Sequence, residues 1–302
     1  MRSPGGRADI GRIFDLAVKA ERRGFDSVWV GDSILARPRF EALTTLAAIA
    51  MLTKRVELGT AVYLTPLRHP VPLAHTAGNL DLLSNGRFLF GIGIGPGAAA
   101  VRAEYAACGT DYRFSGQRQE EGLQIMKGLW TGEPFTFHGK HFQVENATLH
   151  PLPARPGGPP VLLAGASERP LRRIARFGDG WLPISHDPQE FSANWKQLQA
   201  YCAEVGRDPS QLLRILYVTL NINRDVKSAE QESEAFLEAY YGPIHKMIAR
   251  TQAIFAGEAE RCADFLRAFS QAGATHFIVR FSSSDQELQM ERLLSEVIPL
   301  LR

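Results

Sequence analysis

Residues 70–97 read PVPLAHTAGNLDLLSNGRFLFGIGIGPG, and this stretch decides the fold. The part from 70 to 84 has the length of a helix, and Pro70 suits its first turn, where no backbone donor is needed. The apolar run RFLFGIGI at 87–94 has the length of a buried strand and is rich in glycine at its end. The stretch therefore predicts a helix that leads directly into a buried strand.

Strands and helices alternate in the same way on both sides of this stretch. A helical face that ends at Gly24 precedes the first predicted strand, and the polar residues 131–150 alternate like a hairpin. The other strands are predicted at 27–30, 56–63, 160–164, 179–184, 213–222 and 275–281, and the other helices at 40–52, 115–130, 168–177, 188–205, 228–250, 257–272 and 285–302.

This alternation is typical of parallel strands joined by helical crossovers. About seven such units in one chain fit a (β/α)8 barrel of the TIM type better than an open sheet. We therefore expect residues 1–302 to form a single α/β barrel domain with its functional loops at the carboxyl ends of the strands. Such a barrel opens with a strand, but residues 1–9 are polar and contain Gly and Pro, so the first strand is predicted to be missing or atypical.

Composition narrows the class of function. The 34 Lys and Arg nearly balance the 32 Asp and Glu, which argues against a dedicated nucleic-acid binder. A hydrophobic fraction of 45% excludes a disordered chain. Without a secretory signal or an apolar run of about 18 residues, we expect a cytoplasmic protein with no membrane partner. Cys108, Cys202 and Cys262 are widely separated, which predicts reduced thiols and no metal site.

The glycine-rich end of the strand at 87–94 is a candidate binding loop. Gly93, Gly95 and Ala98 formally satisfy the dinucleotide pattern G-x-G-x-x-G/A. However, the motif lies a third of the way along the chain, no acidic residue closes a second strand about 20 residues later, and Pro96 removes a backbone donor. Two interpretations stay open, a loop that a ring or a phosphate approaches closely, or simple tight packing.

Two other strand ends consist of small residues. At 163–168 (LAGASE), exposed backbone N–H groups beside a helix N-terminus favour a phosphate, or Ser167 simply caps that helix. At 59–62 (GTAV), the small residues indicate a bulge or a close ligand approach, or an ordinary barrel strand. The first loop contributes Ala164, Gly165 and Ala166, and the second contributes Ala61 and Val62.

Taken together, these segments resemble the bacterial-luciferase-like superfamily of flavin- and deazaflavin-dependent oxidoreductases. Order and spacing match over about residues 8–184, and the block HTAGNLDLLSNGR followed by GIGIG is the most specific part. The resemblance implies a TIM-type barrel with an insertion, in a protein that often dimerises. The matching segments are GFDSVWVGDS (24–33), LGTAVYLTPLRHP (58–70), AHTAGNLDLLSNGRF (74–88), GIGIG (91–95), GLWTGEP (128–134) and GDGW (178–181).

The resemblance also implies where a cofactor binds. The flavin ring is expected on a strand bulge with a non-proline cis peptide near Ala61-Val62. The phosphate is expected beside the 164–166 loop, with contributions from the strand end that contains Gly93 and Gly95. The residues that the resemblance implies for cofactor binding are Ala61, Val62, Asn79, Gly93, Gly95, Ala164, Gly165, Ala166 and Trp181.

Candidate catalytic residues follow from position at a strand end. Asp32 and Ser33 end a predicted strand, where polar groups of this fold point into the pocket, although Asp32 also suits a cap of the next turn. His69 precedes a helix and is either a pocket residue or solvated. Some deazaflavin enzymes of the superfamily have a His at the position of Ser33 and a Glu at that of Pro96. Their replacement argues against a sugar-phosphate dehydrogenase without excluding a deazaflavin.

These observations favour a luciferase-like monooxygenase that uses reduced FMN and oxygen on a small organic substrate. We expect a homodimer that receives its cofactor from a separate flavin reductase. The alternative is an F420 (deazaflavin)-dependent oxidoreductase that transfers hydride, in which Arg37, Arg39 and Arg68 would cluster to bind the acidic tail. A non-catalytic flavin-binding protein is the alternative of another class. Tyr240 and Tyr241 are interpreted as part of a substrate lid.

Overall fold

The computed structural model describes residues 9–301. The chain divides into two compact units, Met1–Leu162 and Leu163–Arg302. The expected absence of a first strand falls almost entirely on residues 1–8, which lie outside the described residues. The single-domain prediction stays a prediction, and each unit is described by itself.

The first unit is built on parallel strands. Strand β1 pairs with β2, and β4 pairs with β2 and β3, all in parallel, whereas β5 and β6 form the antiparallel hairpin predicted at 131–150. Its strands are β1 Ser27–Val30, β2 Glu57–Thr60, β3 Tyr63–Leu64, β4 Phe88–Gly93, β5 Phe135–His138 and β6 Gln143–Ala147. Its helices are α1 Ile10–Arg23, α2 Ala42–Leu52, α3 Pro70–Leu83, α4 Ala99–Ala107 and α5 Ser115–Leu129.

The predicted strand at 56–63 is interrupted in the structure. Strand β2 ends at Thr60 and β3 begins at Tyr63, and the peptide bond between Ala61 and Val62 is cis. The non-proline cis peptide implied by the resemblance is thus confirmed at the expected bond. Strand β7, Val161–Ala164, contains the division between the two units.

The second unit is also based on parallel pairing. Its central strand, β9, pairs in parallel with β8, β10 and β11. The strands are β8 Gly180–Leu182, β9 Leu213–Ile222, β10 Ala253–Gly257 and β11 His276–Phe281. The helices are α6 Glu168–Phe177, α7 Pro188–Glu204, α8 Val226–Tyr241, α9 His245–Thr251, α10 Ala259–Gln271, α11 Gln286–Arg292 and α12 Ile298–Leu301.

Two features of the second unit differ from the prediction. The helix expected at 228–250 is divided into α8 and α9 because Gly242 takes a positive φ of 59° and ends the first of them. Strand β10 was not expected, since five apolar or small residues carry too short a pattern to separate strand from helix. Within residues 9–301, no helix is both long enough and apolar enough to cross a membrane.

Side-chain alternation separates the two faces of β9. Arg214 pairs in register with Trp181 of β8, and its guanidinium lies 4.9 Å from the Trp195 ring of α7. This face of the sheet therefore packs on helix α7. Tyr217 and Thr219 lie at odd spacing from Arg214, so their side chains lie on the opposite face.

Candidate active site

Asp32 lies just beyond the end of β1, and its buried carboxylate is fully engaged. It forms a bidentate ion pair with Arg68, with 2.9 Å between Nη2 and Oδ1, and its Oδ2 accepts from the Leu64 N–H at 3.0 Å. Burial alone would lower the pKa of Arg68, but hydrogen bonding to Asp32 and its charge more than offset this, so the pKa is raised. Asp32 therefore fixes the segment around β3 to the end of β1.

Ser33 is tied to a residue that the sequence did not single out, Glu104 of α4. The Ser33 hydroxyl donates to Glu104 Oε1 at 3.0 Å and accepts from the Arg37 N–H at 3.0 Å. Its proton is thus engaged within the protein, and the catalytic role of Ser33 stays a prediction.

Glu104 holds the loop that follows Ser33 through the backbone. Its Oε1 accepts from the N–H groups of Leu35 at 2.7 Å and Ala36 at 3.4 Å, and also from that of Ile34. Only 1% of Glu104 is exposed, and Oε2 is buried without a hydrogen-bond partner among the described residues. The sequence of α4, AAVRAEYAA, has no local pattern that marks Glu104 as buried, so sequence reasoning missed this role.

The segment with the cis peptide is held from both sides. The Ala61 N–H donates to the Val30 carbonyl at 2.8 Å, and the Asp32 N–H donates to the Val62 carbonyl at 3.4 Å. Val62 packs against a buried cluster that includes Leu64, and both Ala61 and Val62 remain partly exposed. A ligand can therefore reach this strand end without displacing the core.

Glu41 and Tyr63 form a second polar contact of this region. The Tyr63 hydroxyl donates to Glu41 Oε1 at 3.1 Å, and the Thr44 N–H donates to Oε2 at 2.7 Å. Burial raises the pKa of Tyr63, so its hydroxyl stays protonated as a donor. Burial alone would raise the pKa of Glu41 as well, but hydrogen bonds from Thr44, Leu43 and Tyr63 more than offset this and lower it.

Replacing Glu41 with glutamine is expected to reduce stability in a pH-dependent way. Because the folded-state pKa is lowered, the carboxylate stabilises the fold above its unfolded pKa of about 4.3, and this contribution is lost as the pH falls through the folded value. Urea unfolding of the wild type and of Glu41→Gln should therefore differ at pH 7, and the difference should shrink as the pH falls below about 4.3. The exposed Glu133→Gln serves as the control, and a constant difference at all pH values would refute the prediction.

The glycine-rich end of β4 is held by two tyrosines. The Tyr105 hydroxyl donates to the Ile94 carbonyl at 2.9 Å, and the Tyr112 hydroxyl donates to the Gly95 carbonyl at 2.9 Å. Gly95 has a φ of 73°, a conformation that glycine adopts without strain. Gly93 ends the strand and is buried, so the exposed backbone of this loop begins beyond it.

His69 caps helix α3 and Asn79 lies within that helix, and neither joins the contacts of Asp32 and Ser33. His69 is exposed, and its Nδ1 accepts from the Val71 N–H at 3.3 Å as a helix cap. Burial lowers the pKa of His69, with a further contribution from the charge of Arg118. The Asn79 amide contacts the His75 ring at 3.2 Å. In residues 9–162, no hydrogen bond or ring contact joins His69 to Asp32 or Ser33.

The loop 164–166 of the second unit is half-buried and has little room for side chains. Gly165 has a φ of 128°, and a Cβ there would lie 2.5 Å from the Cβ of Pro170. Its carbonyl accepts from Trp181 Nε1 at 2.8 Å. Ser167 occupies the N-cap position of α6, but its side chain forms no capping hydrogen bond, so the interpretation of Ser167 as a helix cap is not supported.

Trp181 is a core residue that acts on this loop through its indole nitrogen. It is fully buried, and its ring lies 4.7 Å from that of Phe191. Its hydrogen bond to Gly165 positions the loop backbone, whereas the resemblance implied a side chain that lines the pocket.

Polar or small residues thus follow the parallel strands at their carboxyl ends, which is the arrangement of an α/β-barrel enzyme. The model of the luciferase-like monooxygenase family matches residues 1–276. The chain belongs to this family, as the resemblance implied.

Curated relatives of similar length are oxidoreductases. An F420-dependent glucose-6-phosphate dehydrogenase of Kineococcus radiotolerans is 27% identical and aligns over 97% of this chain and 93% of its own. A protein of the same name from Nocardia farcinica is 24% identical over 96% of this chain and 94% of its own. An oxidoreductase is therefore supported, without a choice of cofactor or reaction.

Solved structures show the fold. An F420-dependent secondary alcohol dehydrogenase, in complex with an F420–acetone adduct, has a TM-score of 0.84 at 22% identity and covers 98% of this chain and 96% of its own. A long-chain alkane monooxygenase has a TM-score of 0.81 at 16% identity, over 97% of this chain and 84% of its own. The predicted fold class, a luciferase-like barrel of the TIM type, is confirmed.

Proposed function

We propose that this protein is an F420-dependent oxidoreductase that transfers hydride between the deazaflavin and a small organic substrate. The observation that carries the proposal is the near full-length similarity to F420-dependent glucose-6-phosphate dehydrogenases. A deazaflavin supplies a hydride-carrying ring that does not activate oxygen. The monooxygenase with reduced FMN, which the sequence favoured, becomes the second candidate, supported by structural neighbours such as the alkane monooxygenase.

Two of the predicted cofactor contacts, the Ala61-Val62 segment and the loop 164–166, are compatible with such a cofactor. In the first unit, the Ala61-Val62 segment is partly exposed, so a ring can approach it. In the second unit, the half-buried loop 164–166 directly precedes the N-terminus of α6, where backbone N–H groups favour a phosphate. The exposed residues beyond Gly95 add further backbone. We propose that in the first unit the Ala61-Val62 segment, whose Val62 carbonyl accepts from the Asp32 N–H, contacts a cofactor ring. For the second unit by itself, we propose that the loop 164–166, which Trp181 positions, binds a phosphate.

Two of the three arginines that were expected to bind an acidic tail, Arg39 and Arg68, contact Asp32 at the end of β1 through their guanidinium groups. Arg39 Nη1 donates to the Asp32 carbonyl at 2.8 Å, and the Arg37 N–H donates to Ser33. The carboxylate of Asp32 also forms the ion pair with Arg68. The approach of Arg39 and Arg68 to the same residue supports the deazaflavin alternative, in which Arg37, Arg39 and Arg68 are expected to cluster.

An anaerobic fluorescence titration with reduced F420 and reduced FMN tests the proposal. We expect preferential binding of F420 and no oxygen uptake by the complex when air is admitted. A preference for FMN followed by oxygen uptake would establish the second candidate instead. If either reduced cofactor binds tightly but is not oxidised by added ketones, enones, imines or oxygen, the protein is a non-catalytic binding protein. A homodimer, a separate reductase and a cytoplasmic location stay predictions.

A further inference from the structure

Arg280 lies near the carboxyl end of β11 among three tyrosine rings. Its guanidinium carbon is 4.1 Å from the ring centre of Tyr240, 5.2 Å from that of Tyr217 and 5.4 Å from that of Tyr241. One nitrogen, Nη1, donates to the Tyr241 hydroxyl at 2.8 Å. Tyr240 and Tyr241 come from the end of α8, at the chain reversal that Gly242 permits.

The charge of Arg280 is not balanced by a carboxylate among the described residues. Two other partly buried arginines of the chain are balanced, Arg68 by Asp32 and Arg155 by Asp81, the latter at 2.6 Å. Burial alone would lower the pKa of Arg280, but the surrounding tyrosine oxygens more than offset this and raise it, so the cation persists. Nε and Nη2 have no acceptor in the described part of the chain and are not among its fully buried polar atoms, so a partly buried cation presents accessible donors to an anion.

A second observation lies beside Arg280 on the neighbouring strand. Thr219 of β9 is its partner in the parallel register, so both side chains lie on the same face of the sheet. Thr219 is fully buried, and its hydroxyl has no hydrogen-bond partner among the described residues. This face is the one opposite helix α7, at the strand end where barrel enzymes bind substrates.

We propose that Arg280, with Tyr241 and Thr219 beside it, forms a subsite for an oxyanion, a carboxylate or a phosphate, carried by the substrate. The guanidinium offers a planar fork of donors, the Tyr241 hydroxyl orients it, and the tyrosine rings contact the apolar carbons next to the anion. The subsite is separate from the 164–166 loop that we propose for the cofactor phosphate. The proposal that the substrate carries an oxyanion rests on the proposed oxidoreductase function.

Binding of simple oxyanions tests the subsite without any cofactor. Calorimetric titration of the purified protein with benzoate and with inorganic phosphate, at low ionic strength, should show saturable binding of at least one probe. Arg280→Gln should weaken that binding about 10- to 100-fold, because charge-assisted hydrogen bonds are lost. Arg280→Lys should retain part of it, since the charge remains without the fork, and Thr219→Val should weaken it by a smaller factor.

Arg214→Gln is the matched control, because Arg214 also stacks on an aromatic ring but lies on the helix-covered face. It should bind the probes like the wild type, and circular dichroism confirms that each variant is folded. Absence of saturable binding of both probes to the wild type, or unchanged binding to Arg280→Gln and Arg280→Lys, overturns the proposal.

The source of the anion is decided by titrating F420 into Arg280→Gln. Unchanged F420 affinity supports a substrate group, and a tenfold loss would assign the anion to the cofactor and overturn the substrate assignment. Failure of F420 to bind the wild type would contradict the proposed function, whereas the oxyanion titrations stand independently of it.

Discussion

Glu104→Ala is expected to lower the free energy of unfolding by about 3 kcal/mol, the largest stability effect that we predict. The carboxylate accepts from the Ser33 hydroxyl and from the N–H groups of the loop at 34–36. Removing it leaves those donors without an acceptor in a site where Glu104 itself is 1% exposed. Urea unfolding followed by circular dichroism measures the loss. The m value, the slope of the unfolding free energy against urea concentration, should be the same in the wild type and the variant.

Glu104→Gln separates loss of the acceptor from loss of the charge. The amide keeps one oxygen at the same position, so we expect a smaller loss of stability than with alanine. Glu133→Ala removes an exposed carboxylate and should leave the midpoint unchanged. If Glu104→Ala cost less than about 1 kcal/mol, water would be replacing the carboxylate, and the loop would not depend on Glu104.

Gly165→Asp is expected to abolish cofactor binding in a folded protein, with a loss of at least about 100-fold. The new Cβ would meet Pro170 at 2.5 Å, and a φ of 128° is accessible to glycine alone. The added carboxylate would also repel a phosphate at the same backbone. Fluorescence titration with F420 and with FMN measures the loss.

Gly206→Asp is a matched control for Gly165→Asp. Gly206 also has a positive φ, 69°, in the region that Asp tolerates, and nothing lies within 4 Å of its Cβ position. It adds the same charge in the same unit and should bind the cofactor normally. Gly165→Ala adds the Cβ without the charge and should have an intermediate affinity. Normal affinity of a folded Gly165→Asp would exclude this loop from the cofactor site.

The sequence predicted elements where local pattern and tertiary packing agree. Strand β9 and helix α6 were predicted with the bounds that they have in the structure, because an apolar run and an amphipathic repeat identify them. The division of the predicted helix 228–250 was missed because one glycine decided it, through a backbone angle that composition does not reveal. The cis peptide at Ala61-Val62 was predicted from family resemblance alone.

The candidate site was harder to predict, because its polar contacts are long-range. Glu104 lies 71 residues from Ser33, and nothing in the local pattern of α4 marks its carboxylate as buried. Arg280 shows the same difficulty, since its three tyrosines come from β9 and from the end of α8. The sequence identified single residues by their position at strand ends. The residues that they contact could be found only from the folded structure.

Because Glu104 accepts only backbone N–H groups from the loop at 34–36, the side chains of Ile34 and Leu35 play no part in this hydrogen bonding, whereas Ala36 packs against a buried cluster. Ile34 is 44% exposed and Leu35 is 64% exposed. Both apolar side chains follow Ser33 in the chain, and we expect that they can be substituted without a change in the conformation of the loop. This loop is therefore a natural place to diversify in a library that seeks new substrate preferences, since its geometry is encoded in another helix.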